Sequence, residues 1–361
     1  MVRVPSASRP SEDRRPGPRR SWRQIPRDFW AKFAIGWSGA QFLILACVEV
    51  GLAVKHYQYT QDLINLGVSR GERNNATALT LYHGLVVASQ AFQLFLCFDA
   101  VVHSSMIQLG STTAFNTALF GYSIIQYTQA NSILSVQNQA RASEASIGVH
   151  PTATLEMVVI AFSAIFTLGW FVITQRLYRV FGWSVFKELG ADIGVKRRLK
   201  LYHIYLMLLK LDVFFFMGFD LQFLVLVLIG KDKEAIITHT AIAIPVTIGM
   251  LVVAYLAIRR ESSILMSITL IAFSGGIGYL ISKLVDVITN TTPKYEGSKK
   301  SLTFFEVITL ALSIATFVVA ILNFRNFGKG LKEQLSRSRN PNMELDDFNR
   351  GNGKDTRWPL D

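Results

Sequence analysis

Residues 201–230 read LYHIYLMLLKLDVFFFMGFDLQFLVLVLIG, an apolar run that carries Lys210, Asp212 and Asp220 inside it. A hydrocarbon core of roughly 30 Å needs about 20 apolar residues in helical form, and this run exceeds that. A charge at the centre of a lipid-facing helix costs about 2.5–3.5 kcal/mol on insertion scales, so these three must face protein or water. One isolated helix cannot shelter them, and the chain is expected to fold as a bundle of membrane helices.

Composition supports that class. Half of the 361 residues are hydrophobic, and the mean hydropathy is +0.32. Lys and Arg (37) exceed Asp and Glu (25). The basic residues fall between the apolar runs, as topology determinants do, which argues against a nucleic-acid partner. Cys47 and Cys97 lie within apolar runs without metal-ligand spacing and read as small hydrophobes, so no metal or other cofactor is implied. Residues 1–30, with RRPGPRR at 14–20, are too charged and Pro-rich to fold alone and are expected to form a disordered basic tail. No cleavable signal peptide is expected, because the following apolar run is too long for one.

Eight helices are predicted, over about 33–54, 78–102, 106–127, 155–177, 201–230, 235–258, 264–288 and 302–322. The third is the most polar, and a seven-helix chain without it is the alternative. Pro245 with Gly249 is expected to kink the sixth helix. Ser274, Gly275, Gly276 and Gly278 are expected to ease close approach or unwinding in the seventh. Segments 55–77 and 128–154 read as polar loops. The stretch 176–200 interleaves basic and aromatic residues, which suits a helix lying on anionic headgroups, with Lys196, Arg197, Arg198 and Lys200 as the contacts; a plain cytosolic loop is the other reading. The bundle is thus expected over 31–325, including a basic cytosolic loop at 176–203, with a largely disordered cytosolic tail over 326–361.

Charge tests the eight-helix topology. Counting Lys and Arg on alternate sides, 26 fall with the termini and 9 opposite, while Lys210 and Lys283 lie within helices. The asymmetry predicts both termini in the cytosol. The sequons at Asn75 and Asn290 then fall on the lumenal side and are possible glycosylation sites, although Asn75 lies close to a helix and Pro293 closely follows Asn290.

Depth along the helices arranges the ionisable residues in two layers, since each residue advances about 1.5 Å. Asp99 and His103 leave the second helix on the cytosolic side, one turn apart, where Lys210 and Asp212 enter the fifth. Glu49, Lys283, Asp286 and Glu306 lie toward the lumenal side, and Asp220 approaches them. Asp99, His103, Lys210, Asp212, Asp220, Lys283 and Asp286 therefore form the candidate intramembrane polar site, with an Asp220–Lys283 ion pair expected. Structural ion pairs and a solute or proton path are both compatible with this spread. No HExxH, GxSxG, P-loop or dinucleotide fingerprint is present, so no catalytic residue is assigned and an enzyme is not expected.

The segment YHIYLMLLKLDVFFFMGFDLQF at 202–223, with the basic loop before it and the apolar helices on either side, resembles a family of uncharacterised fungal Golgi apparatus multi-pass membrane proteins. The resemblance extends loosely over 30–325 and omits the tails. It implies a Golgi membrane address, with another endomembrane or the plasma membrane as alternatives, and no known activity.

Three functions compete. A membrane scaffold or trafficking factor would use the basic tails and the 176–200 segment against cytosolic proteins or anionic lipid. A secondary transporter of a small solute or proton would use the buried Asp and Lys residues. A receptor would need the seven-helix count. The absence of an evident sequence repeat between the two halves counts somewhat against a transporter, because many are built from repeats. Oligomeric state is not legible.

Overall fold

The computed structural model describes residues 28–65, 70–141, 152–188, 193–230, 242–289 and 299–328. Among these are eight long helices: α1 (Phe29–Asn65), α2 (Arg70–Val102), α3 (Met106–Arg141), α4 (Ala153–Glu188), α5 (Ile193–Gly230), α6 (Ile244–Arg260), α7 (Ser263–Thr289) and α8 (Lys299–Phe324). The chain is an all-α bundle, and α3 packs against both α2 and α4. The polar third helix is thus present and packed within the eight-helix bundle.

Burial is distributed as lipid demands. Leu168, Ile264 and Ile271 are 68%, 75% and 74% exposed, whereas Glu49, Asp212, Glu306, Thr309 and Thr316 are fully enclosed. A bundle surrounded by water would reverse this order. Helices that satisfy their own backbone can show apolar faces to hydrocarbon while small and polar side chains join them inside. By length and composition α1, α2, α4, α7 and α8 can each cross a membrane. The others depart for visible reasons: α3 is diluted by amides and hydroxyls, α5 carries internal charges, and the described part of α6 is only 17 residues long.

The helices form two rings of four. In the first ring, α1 packs on α2, α2 on α3, α3 on α4 and α4 back on α1; α5 to α8 close in the same cyclic order. The first ring has cores around Trp170, Phe181 and Leu109 and around Leu45, Leu52 and Phe166. The second has one core from Tyr202 and Phe219 to Phe273 and Leu302. They meet along a seam where α2 and α3 face α5 and α8. The seam is aromatic at its centre: Phe214 stacks on Phe92 at 4.8 Å and meets Phe115 edge-on at 5.2 Å, and Phe305 meets Tyr122 edge-on at 5.3 Å.

Cross-helix contacts fix the direction of each helix. Arg176 lies 5.6 Å from the Trp30 ring, Cys97 Sγ reaches Ala34 O, and Asn323 Nδ2 donates to Leu201 O. The start of α1, the ends of α2 and α4, the start of α5 and the end of α8 therefore share one face of the bundle. Both ends of the described chain emerge there, as an even number of crossings requires.

Several local expectations change. Residues 55–65 and 70–77 continue α1 and α2, and α3 runs on to Arg141, so much of both supposed loops is helical. Asn75 accordingly stands in helix α2, while Asn290 lies outside the described residues. The basic stretch 176–200 is no separate surface helix: it comprises the end of α4 and the start of α5 around an undescribed gap at 189–192. Pro245 is the second residue of α6 and directly follows two π-helical residues, Ile242 and Ala243; the upstream part of the helix that a kink would bend lies outside the described residues. The expected start of that helix at 235 lies outside the described residues, as do both tails. Helix α7 is unbroken through Gly275–Gly278, and nothing approaches the Cβ positions of Gly275, Gly276 or Gly278.

Candidate functional site: polar layers inside the bundle

Three buried or half-buried polar layers are stacked along the bundle, the first and third of them reaching the seam. The layer on the face shared by the chain ends is an ion pair. Lys210 Nζ on α5 donates to Asp99 Oδ2 on α2 at 2.5 Å, and His103 Nδ1 lies 3.2 Å from Asp99 Oδ1. Asp99 ends its helix one turn before His103, so the predicted one-turn pair forms, and Lys210 joins it from the other ring. The pair is a clasp across the seam, half-buried at the lysine, while His103 faces outward.

The middle layer ties all four helices of the first ring. Gln41 Nε2 donates to Gln90 Oε1 at 2.9 Å and to Asn116 Oδ1 at 2.6 Å, and Trp170 Nε1 donates to Gln41 Oε1 at 2.8 Å. Asn116 Nδ2 then donates to Thr167 Oγ1 at 2.9 Å. In the second ring at comparable depth, Thr316 Oγ1 on α8 donates to Asp212 Oδ2 on α5 at 2.5 Å. Asp212 is thus a buried carboxylate held by a hydroxyl, and Lys210, two residues away, turns to the seam.

The third layer, toward the opposite face, is the richest. Glu49 and His56 project from α1, His83 from α2, Gln126 from α3 and Glu156 from α4, all buried. His83 Nδ1 lies 2.6 Å from Glu49 Oε2, and His83 Nε2 lies 2.8 Å from His56 Nδ1. His56 Nε2 faces Glu156 Oε1 at 3.5 Å. The Gln126 amide rests against the first contact, its Nε2 3.1 Å from Glu49 Oε2 and 2.6 Å from His83 Nδ1. Among the described residues no three His, Cys, Asp or Glu side chains are set to hold a metal ion. A cavity of about 260 Å³ between α1 and α2 is lined by Glu49, His83, Tyr57 and Thr80, and a second cleft touches Glu49, Gln126, Tyr127 and Glu156. This layer also reaches the seam, where Tyr122 and Ser301 hydroxyls pair at 2.7 Å.

The remaining candidates sit in the second ring near that opposite face. Asp220 is buried on α5, and Lys283 of α7 lies 4.9 Å from the Phe223 ring and 5.7 Å from the Tyr279 ring, one turn along α5 from Asp220. Asp286 is half-buried, and with Lys283 it forms the charged surroundings of the enclosed Glu306. Of the basic residues proposed to meet headgroups, Arg197 and Lys200 are exposed on the first turns of α5 and Arg198 is half-buried; the side chain of Lys196 lies outside the described residues.

The sequence reading found the first layer and the second-ring charges but missed His56, His83, Gln126 and Glu156. One signal was present: Glu49 and His56 are seven residues apart, two turns of one helix face.

Comparison with known proteins agrees with the bundle. The chain is 26% identical over 315 residues to a UPF0658 Golgi apparatus membrane protein of Schizosaccharomyces pombe, covering 81% of this chain and 85% of that one. The resemblance read from the fifth helix holds. It spans most of the chain, and the Golgi membrane address expected from the sequence is the one that relative bears. No family model and no solved structure matches the chain. The name of the relative gives a location and no activity.

Proposed function

We propose that this protein is a secondary transporter of a small solute or proton, with no enzymatic activity, in the Golgi membrane. The observation that carries the reading is the seam. Two four-helix rings meet there over an aromatic centre, with a polar closure at each end: Asp99–Lys210 on one face and Tyr122–Ser301 toward the other. Two bodies joined in this way can part at one end while the centre stays packed, which is the motion alternating access requires. Ionisable groups at several depths supply the charge such a cycle moves. The repeated cyclic order of the rings also answers the objection that the sequence shows no repeat, since the repetition lies in packing. The Golgi address rests on the relative alone.

The scaffold or trafficking reading draws on the tails and the basic segment at 176–200, and it has no need of the enclosed carboxylates. Transport uses them, and for that reason it is preferred.

The test is a flux assay on the full chain reconstituted in phosphatidylcholine vesicles with a pH-sensitive dye trapped inside. An imposed proton gradient, or external addition of small organic cations, anions or sugars, should change the internal pH faster than in protein-free vesicles. Lys210→Met, which opens one closure, should cut that rate at least tenfold. A wild-type protein that matches protein-free vesicles under every condition would overturn the proposal.

A further inference from the structure

The third layer holds two enclosed carboxylates, and among the described residues neither forms an ion pair with Lys or Arg. A buried charge without a partner is expensive, so protons must be shared within the layer. The four groups stand in line, Glu49, His83, His56 and Glu156, with three contacts between them. Each of the two short contacts needs one hydrogen, and two hydrogens cannot occupy the 2.8 Å between the imidazoles. His56 Nε2 and Glu156 Oε1, 3.5 Å apart, do not form a hydrogen bond as they stand; the line holds three protons once that gap closes by a few tenths of an ångström.

Two arrangements of those protons keep both rings neutral. In one, Glu49 is protonated and donates to His83 Nδ1, His83 Nε2–H donates to His56 Nδ1, and His56 Nε2–H donates to a Glu156 carboxylate. In the other, every hydrogen has crossed its contact: Glu49 is the carboxylate, both rings are protonated at Nδ1, and Glu156 carries the proton. Passage from the first to the second breaks three O–H or N–H bonds and forms three. It moves one negative charge from Glu156 to Glu49 and requires no ring to turn. The Gln126 amide can offer either its N–H or its C=O to the Glu49–His83 contact and so fits both.

We propose that Glu49, His83, His56 and Glu156 form a reversible one-proton shuttle between a carboxylate within the α1 span and one in the first turn of α4. This rests on the transport reading, whose coupling ion it names. Glu49 and His56 are seven residues apart, so the path covers about 10 Å of depth along α1. Among the described residues, the titratable neighbours of the line are Tyr57 on α1, Tyr82 on α2, and Tyr122 and Tyr127 on α3. The shuttle is a switch and not an open wire. Refilling Glu49 after Glu156 has released its proton to water would place two hydrogens in the Glu49–His83 contact until both rings turned.

The test reads tautomers directly, by nitrogen NMR of histidine-labelled full chain in bilayers, without any flux. In Glu49→Gln only Glu156 can still ionise within the line. Raising the pH should then move the hydrogen on both rings from Nδ1 to Nε2. In Glu156→Gln the same titration should move it on both rings from Nε2 to Nδ1. A purely structural cluster predicts no change at the ring remote from the titrating carboxyl, which is His83 in Glu49→Gln and His56 in Glu156→Gln. Specifically, the shuttle is overturned if His83 keeps one tautomer throughout in Glu49→Gln, or His56 does so in Glu156→Gln. Should neither variant fold, the wild type decides: a nitrogen–nitrogen coupling across the His56–His83 contact is expected, and its absence rejects the shuttle. Flux with fixed tautomers would leave transport standing and discard this route; coupled tautomers without flux would do the reverse.

Discussion

Gly169 shows how closely α4 and α1 approach. A Cβ built there overlaps Trp37 Cζ2, and the Trp37 ring is itself held edge-on against Phe166 at 5.1 Å. Gly169→Ala must therefore displace a packed indole. Overpacking of this kind costs about 1–3 kcal/mol, and the variant should melt earlier than wild type in detergent by thermal scanning fluorescence. Trp37→Phe in the same chain should recover part of the loss, and a loss that Trp37→Phe leaves unchanged would locate the strain elsewhere. Gly169 gave no sign of this in the sequence, where it is one glycine in an apolar run. The same limit explains the missed histidines. His56 falls in a segment polar enough to read as a loop and His83 at the edge of an apolar run, and their roles depend on which helices become neighbours. Lys210, Asp212 and Asp220 were legible because a charge inside a long apolar run is costly wherever the helix is placed.

At the scale of helices, apolar length located all eight elements, because backbone groups in lipid leave little alternative to helix. Their ends were less legible. Past the hydrocarbon the apolar signal stops, yet α1 continues to Asn65 and α3 to Arg141. What holds the first ring together was not legible at all, because Gln41, Gln90, Asn116 and Trp170 belong to four different helices. Gln41→Leu would fill the same space and leave three buried partners unmet. An unsatisfied buried polar group costs roughly 1–3 kcal/mol, and interhelical bonds in membranes are worth about 0.6 kcal/mol on average. The expected outcome is a loss of about 1–3 kcal/mol in denaturant unfolding in micelles. A Gln41→Leu protein as stable as wild type would show that the amide layer contributes nothing net to the ring.

At the scale of the whole molecule, each ring closes on itself, and among the described residues the two meet chiefly through α2 and α3 against α5 and α8. Neither ring can remain alone in lipid without exposing the seam, where Phe214, Phe115, Tyr122 and Phe305 meet and Lys210 finds Asp99. Helix α4 ends at Glu188 and α5 begins at Ile193, on the face where both described ends of the chain emerge. A chain divided there and expressed as two fragments should thus yield two helical rings that find one another in the membrane, since the contacts of α2 and α3 with α5 and α8 need no covalent link between α4 and α5. Copurification of the second fragment with a tagged first fragment is the measurement. Because the seam is closed by one ion pair and one hydroxyl pair around aromatic contacts, Lys210→Met with Tyr122→Phe should weaken recovery of the partner several-fold without unfolding either ring. Fragments that fold but fail to associate would mean that the linker, and not the seam, joins the halves. That result would also withdraw the rocking motion on which the transport reading depends, because a seam too weak to hold the rings together could not close either end of a path between them.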